Sequence, residues 1–200
     1  LFGQPIRIVI PAELADEAAL VAYLGVGAAE LKKIWYYRNR MYQHFSIAKG
    51  PNKVRMISAP DKRLKFLQRK LADKLNELYR PRKPVHGFVA ERSVKTNALA
   101  HLHRRFIVNI DLKDFFPEIS QRRIEGVISS LGIDDRVAEI IARICCANGH
   151  LPQGAPSSPV LSNMICFRLD KDLMGLAKEA RCIYTRYADD LAISFPRRPR

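Results

Sequence analysis

The tetrapeptide Tyr187-Ala188-Asp189-Asp190 places two adjacent carboxylates between two segments that have the composition of β-strands. The flanking segments, 182–187 and 191–195, are rich in the β-branched and aromatic residues that pleated strands favour. The pattern predicts a β-hairpin with Asp189 and Asp190 at its turn. Because aspartates are common in solvated turns, the Asp189-Asp190 pair indicates a cation site only together with further carboxylates.

A further carboxylate, Asp111, ends the apolar run 106–110, and Asp114 follows three residues later. The run predicts a buried strand that carries Asp111 at its C-terminal end. Carboxylates from neighbouring strands can hold two Mg²⁺ ions roughly 3.5–4 Å apart, the arrangement used in phosphoryl transfer. Mg²⁺ prefers hard oxygen ligands, so aspartates without His or Cys suit two Mg²⁺ ions, with Mn²⁺ as a substitute.

Charge points to a polyanionic partner. The chain of 200 residues has 34 Lys and Arg against 20 Asp and Glu. Twelve of the basic residues and three of the acidic ones lie between Lys49 and Lys83. Within this stretch we expect a helix, capped by Asp61, with leucines on one face and basic residues on the other. A basic face is commonly only solvated, but here it supplies candidate nucleic-acid contacts: Lys62, Lys65, Arg69 and Lys74.

Composition excludes several classes of protein. With 48% hydrophobic residues the chain can bury a core, as one domain or two packed subdomains, and is not a disordered tail. No apolar run approaches the roughly 18 residues of a membrane span, and no secretion signal is seen, so we expect a cytoplasmic protein. His101 and His103 form an isolated pair that we expect to be unliganded. Four cysteines lack metal-finger spacing and are expected to be buried thiols: Cys145, Cys146, Cys166 and Cys182.

Local patterns predict further elements. Strands at 42–47 and 54–57 are expected to form a hairpin around the turn 49–53. Ser120 and Asp134 are expected to cap two amphipathic helices. One more helix is expected to begin at the prolines Pro156 and Pro159 and to run through Val160, Met164, Phe167 and Leu173.

Four motifs follow one another along the chain: His86-Gly87-Phe88-Val89, residues 109–116, residues 151–159 and Tyr187-Ala188-Asp189-Asp190. Together they resemble a reverse transcriptase of the bacterial retron type, which is related to group II intron enzymes, from about Tyr42 to Phe195. The resemblance implies an α+β fold, in which a polymerase palm with a small antiparallel sheet accompanies a helical fingers subdomain. The implied boundaries are an N-terminal helical segment, the fingers with the basic helix, and the palm: 1–40, 41–105 and 106–200. The family's thumb is not expected within these 200 residues.

The resemblance also implies roles for particular residues. Asp111, Asp189 and Asp190 resemble the catalytic, metal-binding carboxylates of the palm, with the first two as the more direct ligands. Phe116 falls on the steric-gate position, where an aromatic ring leaves no room for a 2′-hydroxyl, while Phe115 is expected in the core. The implied nucleotide-binding positions are Lys49 (or Lys53 in its place), Arg55, Asp114, Phe115, Phe116, Gln153 and Gly154.

The implied activity is RNA-templated DNA polymerisation from dNTPs on a DNA or RNA primer. An accessory protein in a defence or mobile-element system is a further expected partner. Two alternatives stay open. An RNA-templated RNA polymerase usually carries Gly before its two aspartates, and Phe116 argues against ribonucleotides. A non-catalytic RNA-binding scaffold or maturase-like fragment is disfavoured by the intact carboxylates and favoured by the missing thumb.

Overall fold

The structure, a computed structural model, describes residues 9–50 and 53–197. These ranges contain eight α-helices and five strands, in the order α1 (Glu17–Leu24), α2 (Ala28–Tyr37), β1 (Tyr42–Gly50), β2 (Lys53–Pro60), α3 (Lys62–Leu78), α4 (Val94–Leu99), β3 (Phe106–Asp111), α5 (Gln121–Ser129), α6 (Asp135–Cys145), α7 (Ser158–Ile165), α8 (Phe167–Glu179), β4 (Ile183–Tyr187) and β5 (Asp190–Phe195). Short 3-10 turns precede α1 and follow α2. The mixed content confirms the α+β class. Across these ranges no helix combines the length and apolar character that crossing a membrane requires.

The described residues form two compact units, each made of two segments. The first unit contains the chain up to Tyr79 together with Phe116–Ser158, and the second contains Arg80–Phe115 together with the chain from Pro159 onwards. The first unit therefore carries the β1–β2 hairpin, and the second carries β3, β4 and β5. The boundaries that the family resemblance implies, after residues 40 and 105, differ from the limits of these compact units and stay a prediction.

The predicted β1–β2 hairpin is part of the first unit. β1 and β2 pair antiparallel from Tyr42 opposite Pro60 to Gly50 opposite Lys53, so each strand is longer than expected. As predicted, the Asp61 carboxylate caps α3 by accepting the Leu64 N–H at 2.8 Å. The predicted leucine stripe of α3 is fully buried at four positions: Leu64, Leu67, Leu71 and Leu75. Local cap chemistry and helical periodicity thus define this element.

Helices α5 and α6 complete the core of the first unit. Ser120 and Asp134 cap them, as predicted, by accepting backbone N–H bonds from the first turn. Gln68, a buried polar residue of α3, donates to the Tyr42 hydroxyl at 2.8 Å and to the Ile144 carbonyl at 2.9 Å. This amide therefore connects α3, α6 and the start of β1 without leaving its own donors unpaired.

The second unit is built on a three-stranded antiparallel sheet in the order β3-β5-β4. The prediction that β3 is buried is wrong, because all six of its residues are exposed. Within residues 9–50 and 53–197, β3 pairs with β5 alone and lies at one edge of the sheet, whereas α4 and α8 pack on β4 at the opposite edge. An apolar run indicates a strand, but its burial depends on what packs against the sheet.

One predicted helix is two helices. α7 ends at Ile165 and α8 begins at Phe167, with a break at Cys166. Phe167, the first residue of α8, is 39% exposed. The Cys166 N–H still donates to Ser162 O at 3.0 Å and the Asp170 N–H to Cys166 O at 2.8 Å. Because helical hydrogen bonds run into and out of the break, hydrophobic periodicity does not reveal it.

The four cysteines are free thiols, and all except the partly buried Cys182 are buried. Burial raises the pKa of Cys145 to about 12 and also raises the pKa of Cys146. These thiols are therefore protonated and unreactive near neutral pH, as expected of structural cysteines in a core.

Candidate active site

The sheet of the second unit sets two carboxylates opposite each other. Asp111 at the end of β3 is the register partner of Asp190 at the start of β5. The Leu112 N–H donates to Asp189 O at 3.0 Å, which makes Asp111 and Asp190 a non-hydrogen-bonded pair. In such pairs the Cα atoms are only about 4.5 Å apart and the side chains lie on one face. Like charges directly opposite are unfavourable, so this register favours a bound cation.

Asp189 lies on the turn beside this pair. Tyr187 pairs with Asp190, so Ala188 and Asp189 form a two-residue hairpin loop, as the sequence predicts. Ala188 has a φ of 56°, in the left-handed region. Hairpin loops that need a positive φ at this position normally use Gly, and a non-glycine residue there costs on the order of 1–3 kcal/mol. The surrounding structure must therefore hold the turn.

A buried charged cluster supplies one such constraint. Arg186 on β4 donates through Nη1 to the Ala188 carbonyl at 3.0 Å. Its Nε and Nη2 donate to the two carboxylate oxygens of Asp170 on α8, each at 2.8 Å. The Tyr184 hydroxyl donates to the same carboxylate at 2.8 Å. The side chains of Arg186 and Asp170 are 0% exposed, so the bidentate ion pair is fully dry.

The charge states of this cluster follow from burial and pairing. Burial opposes the charged form of Arg186, but its hydrogen bond to Asp170 raises the pKa overall. Burial and the neighbouring Asp170 carboxylate both raise the pKa of Tyr184. The guanidinium therefore stays charged and the phenol stays a donor. Both features keep Arg186 aimed at the turn.

A second constraint comes from the His86-Gly87 loop. The His86 N–H donates to Arg186 O and the Arg186 N–H donates to Pro84 O, both at 2.8 Å. Gly87 approaches the turn so closely that an added Cβ would lie 2.3 Å from the Ala188 nitrogen. The buried Asn163 amide holds the loop by donating to the Gly87 carbonyl at 3.0 Å. The first of the four motifs thus supports the backbone of the last.

Sequence reasoning missed Arg186, Asp170 and Asn163 as supports of this turn. Arg186 stands in an otherwise uncharged strand segment, which is a sign that a buried charge needs a partner. Nothing local identifies Asp170, sixteen positions away, as that partner. The long-range pairing is visible only in the structure.

His101 has a structural role within the second unit. It is buried, with Nδ1 2.6 Å from the Ser194 hydroxyl and Nε2 2.7 Å from the Thr185 hydroxyl. Burial, aided by Arg104, lowers the pKa of His101. Its two hydroxyl partners lie on neighbouring strands, β5 and β4. His103, by contrast, is exposed on a turn with a φ of 61°.

The donor chemistry fits a divalent cation in part. Asp111, Asp189 and Asp190 provide hard oxygens, and Mg²⁺ typically completes its shell with water and substrate phosphates. Among residues 9–50 and 53–197, no group of three or more His, Cys, Asp or Glu side chains is clustered closely enough to hold a metal by itself. The described residues therefore offer the opposed pair Asp111 and Asp190, with Asp189 next to Asp190 in the chain, and not a complete set of metal ligands.

The first unit carries other residues that the motifs single out. Arg55 is exposed on β2, and the Gln153-Gly154 loop is docked on the same strand. The Ser58 N–H donates to Gln153 O at 2.8 Å, and Gly154 has a φ of 119°. A Cβ at Gly154 would lie 2.8 Å from a methyl carbon of Ile57, so only glycine fits there. The side chains of the predicted triphosphate lysines lie outside the described residues: Lys49 and Lys53.

The segment after β3 runs through turns. Asp114 is exposed with a φ of 48°. Phe115 is 8% exposed, which confirms its predicted place in a core. Phe116 is partly buried, and its carbonyl accepts a hydrogen bond from the Ile119 N–H at 3.0 Å. Phe115 is thus the more buried of the two residues, but both lie in turns and not in an extended segment, so strand alternation does not explain the difference.

The basic face of α3 is narrower than the sequence indicates. Lys62, Lys65 and Arg69 are exposed at helical spacing on one side. Lys74 instead forms ion pairs with Glu13 at 2.8 Å and Glu77 at 3.2 Å, and its side chain is 16% exposed. The structure brings the first three candidates together and places Lys74 among carboxylates.

A hairpin with two aspartates at its turn, beside a strand that ends in a third, is the palm arrangement of a nucleic-acid polymerase. Residues 47–199 match the family model described as "Reverse transcriptase (RNA-dependent DNA polymerase)". The chain belongs to the reverse transcriptase family. The family predicted from the four motifs is confirmed.

Similar proteins include retron enzymes. Retron Ec86 reverse transcriptase of Escherichia coli is 40% identical over 176 residues, covering 84% of this chain and 53% of that protein. Retron Mx65 reverse transcriptase of Myxococcus xanthus is 37% identical over 200 residues, covering 89% and 47%. Group II intron-encoded protein LtrA of Lactococcus lactis subsp. cremoris is 28% identical over 165 residues, covering 73% and 27%. The chain thus spans about half the length of the retron relatives it matches.

Proposed function

We propose that this chain carries the catalytic centre of an RNA-templated DNA polymerase. The observation that carries the proposal is the opposed pair Asp111 and Asp190, with Asp189 beside it on a turn held by a buried ion pair. Membership of the reverse transcriptase family supports the choice of RNA as template and dNTPs as substrates.

Asp111 and Asp189 are proposed as the direct ligands of two Mg²⁺ ions, which Mn²⁺ can replace, and Asp190 supports them. When bound, the ions activate the attacking oxygen and neutralise the leaving group. In the reaction the primer 3′-oxygen forms a bond to the α-phosphorus of a dNTP, and the bond to pyrophosphate breaks. The protein contributes fixed carboxylate positions, because the register and the buried support of Ala188 leave little to reorganise.

The nucleotide contacts are proposed from the family resemblance. Lys49 and Arg55 neutralise the triphosphate, while the Gln153-Gly154 loop contacts the incoming nucleotide and the templating pair. The turn at Asp114 and Phe115 presents its backbone to phosphate. The Phe116 ring excludes a 2′-hydroxyl.

The partners are proposed to be an RNA template and a DNA or RNA primer, in a retron-like cytoplasmic setting with an accessory protein. The α3 face of Lys62, Lys65 and Arg69 is proposed to contact template phosphates. Changing all three to Gln should reduce the slope of log affinity on log salt by about 0.7 per residue. An unchanged slope would indicate that this face is only solvated and does not contact template phosphates.

Primer extension tests the proposed reaction. The assay compares dNTPs with rNTPs on RNA and DNA templates, using this chain and a chimera that continues into the C-terminal half of Retron Ec86 reverse transcriptase. The proposal predicts extension with dNTPs on RNA. Preference for rNTPs would instead support an RNA polymerase, and RNA binding without extension by either protein would support a scaffold.

A further inference from the structure

The exposed side of α2 combines cations with aromatic rings. Lys32, Lys33, Tyr36, Tyr37 and Arg40 are all exposed, and Arg40 lies in the 3-10 turn Arg38–Met41 that continues α2. Lys32, Tyr36 and Arg40 are spaced by four residues, and so are Lys33 and Tyr37, which places these two adjacent rows along one side of the helical segment. The opposite side carries buried apolar residues, Leu31 and Ile34. We refer to the five exposed residues as the α2 face.

The two tyrosines of the α2 face are highly exposed to solvent. Tyr36 is 75% exposed and Tyr37 is 53% exposed. A single exposed aromatic residue is ordinary, but two successive rings beside three cations form a defined surface. The Arg40 guanidinium lies 5.5 Å from the centroid of the Tyr37 ring. The Tyr37 ring thus lies next to a positive charge.

No carboxylate belongs to the α2 face. The nearest one along the helix, Glu30, is engaged by Arg63 of α3 through two hydrogen bonds of 2.5 and 2.9 Å. The positive charges of Lys32, Lys33 and Arg40 are therefore available to an anionic partner, and the face complements a phosphate backbone.

A cleft of about 460 Å³ adjoins the face. It is lined by Leu31, Lys32, Trp35 and Tyr36 together with Glu17 and Arg136. This volume lies within the range of small-molecule sites. The Trp35 ring is already covered by the guanidinium groups of Arg136 and Arg143, 4.8 and 3.9 Å from its centroid, so Tyr36 is the aromatic residue that the cleft offers for stacking. The charge of Arg136 is balanced by Glu17 at 3.1 Å and Glu139 at 2.9 Å. The cations that would neutralise phosphates are therefore those of the α2 face, and not Arg136.

We propose that the α2 face binds single-stranded nucleic acid outside the active site. Unpaired bases stack on Tyr36 and Tyr37, and Lys32, Lys33 and Arg40 neutralise the adjoining phosphates. Tyrosine rings stacked with bases and interleaved with cations form the general mode of single-strand binding. A duplex does not offer its base faces, so the stacking component selects unpaired strands. None of these five residues belongs to the proposed catalytic centre.

Binding by the whole chain tests the proposal with fluorescent oligouridylate, oligothymidylate and a blunt RNA duplex in anisotropy titrations. The double variant Tyr36→Ala/Tyr37→Ala should bind both single strands about 10- to 100-fold more weakly. Tyr36→Phe/Tyr37→Phe should bind within about twofold of the unchanged chain, because the rings remain. Affinity for the duplex should be unchanged in both variants. The ratio of RNA to DNA affinity identifies which single strand is preferred.

Charge variants provide the second arm. Lys32→Gln/Lys33→Gln should reduce the salt slope for oligouridylate by about 1.4, at about 0.7 per cation. The matched control Lys171→Gln/Lys178→Gln, two exposed lysines of α8, should leave it unchanged. Circular dichroism melts confirm that each variant folds.

Three results would overturn the proposal. They are wild-type affinity in the Tyr36→Ala/Tyr37→Ala protein, equal loss in the Phe and Ala pairs, or competition by polyglutamate as effective as competition by oligouridylate. The last would indicate an acidic protein partner. Because the readout is binding and not synthesis, an inactive polymerase would leave the result interpretable.

Discussion

Removing the Asp170 carboxylate should destabilise the second unit more than any surface change can. In the Asp170→Ala protein, Arg186 would keep a buried guanidinium with two of its three described hydrogen bonds gone, and Tyr184 would lose its acceptor. Leaving one member of a buried pair uncompensated costs about 3–5 kcal/mol. That is a large part of the roughly 5–15 kcal/mol by which a domain is stable.

Urea unfolding followed by circular dichroism measures this change. The matched control is Asp172→Ala, two residues further along α8, whose side chain is 60% exposed and lies 3.9 Å from Arg168. We expect the control to lose less than about 1 kcal/mol, since exposed ion pairs contribute little. Equal losses of unfolding free energy in the two variants would refute the reasoning that the buried ion pair stabilises the unit more than an exposed one does.

A double variant separates stability from positioning. Replacing both partners by apolar side chains, as in Asp170→Leu/Arg186→Met, should recover most of the lost stability, because no buried charge is left alone. The bond from Arg186 to the Ala188 carbonyl would still be missing. We therefore expect a stable protein with impaired primer extension. Full activity in this variant would show that the turn holds its left-handed residue without Arg186.

Three further predictions concern single residues. Gly87→Ala should lower both stability and primer extension, because its Cβ would lie 2.3 Å from the Ala188 backbone nitrogen. The control is Gly175→Ala in α8, where an added Cβ meets nothing within 4 Å. In urea unfolding this control should be neutral or stabilising by about 0.5–1 kcal/mol. Phe116→Ala should raise rNTP use relative to dNTP use by at least about tenfold in kcat/KM, and an unchanged ratio would contradict the steric gate. Because the pKa of His101 is lowered in the folded protein, the unfolded chain binds a proton at this residue more readily than the folded chain does. The free energy of unfolding should therefore fall as the pH drops below about 6.5. His101→Gln should weaken this dependence in urea titrations at pH 7.5 and 5.5.

Features governed by local chemistry were predictable from the sequence. The caps at Asp61, Ser120 and Asp134 depend on a side chain and a backbone N–H three residues away, so their signals are complete within one helical turn. The aspartate hairpin was predictable for the same reason, because strand composition and turn residues lie within one short segment.

Features that depend on distant neighbours were not predictable. β3 has the apolar composition of a buried strand, yet it is exposed, because the helices α4 and α8 pack on β4 at the opposite edge of the sheet. Lys74 fits the basic pattern of α3, yet Glu13 pairs with it from an earlier segment. The Arg186–Asp170 pair joins a strand to a helix. In each case the deciding partner is set by tertiary packing, which the pattern of a single segment does not contain.

The most direct test of the catalytic centre measures primer extension and RNA affinity together in the Asp189→Asn protein, with Mg²⁺ present. The substitution keeps the size of the side chain and removes one proposed metal-binding charge. We expect dNTP extension to fall by at least about 10²-fold while RNA affinity stays within twofold, and the control Asp172→Asn to retain both. Extension at the unchanged rate, or parallel loss of extension and RNA affinity, would contradict the assignment of Asp189 to the catalytic centre.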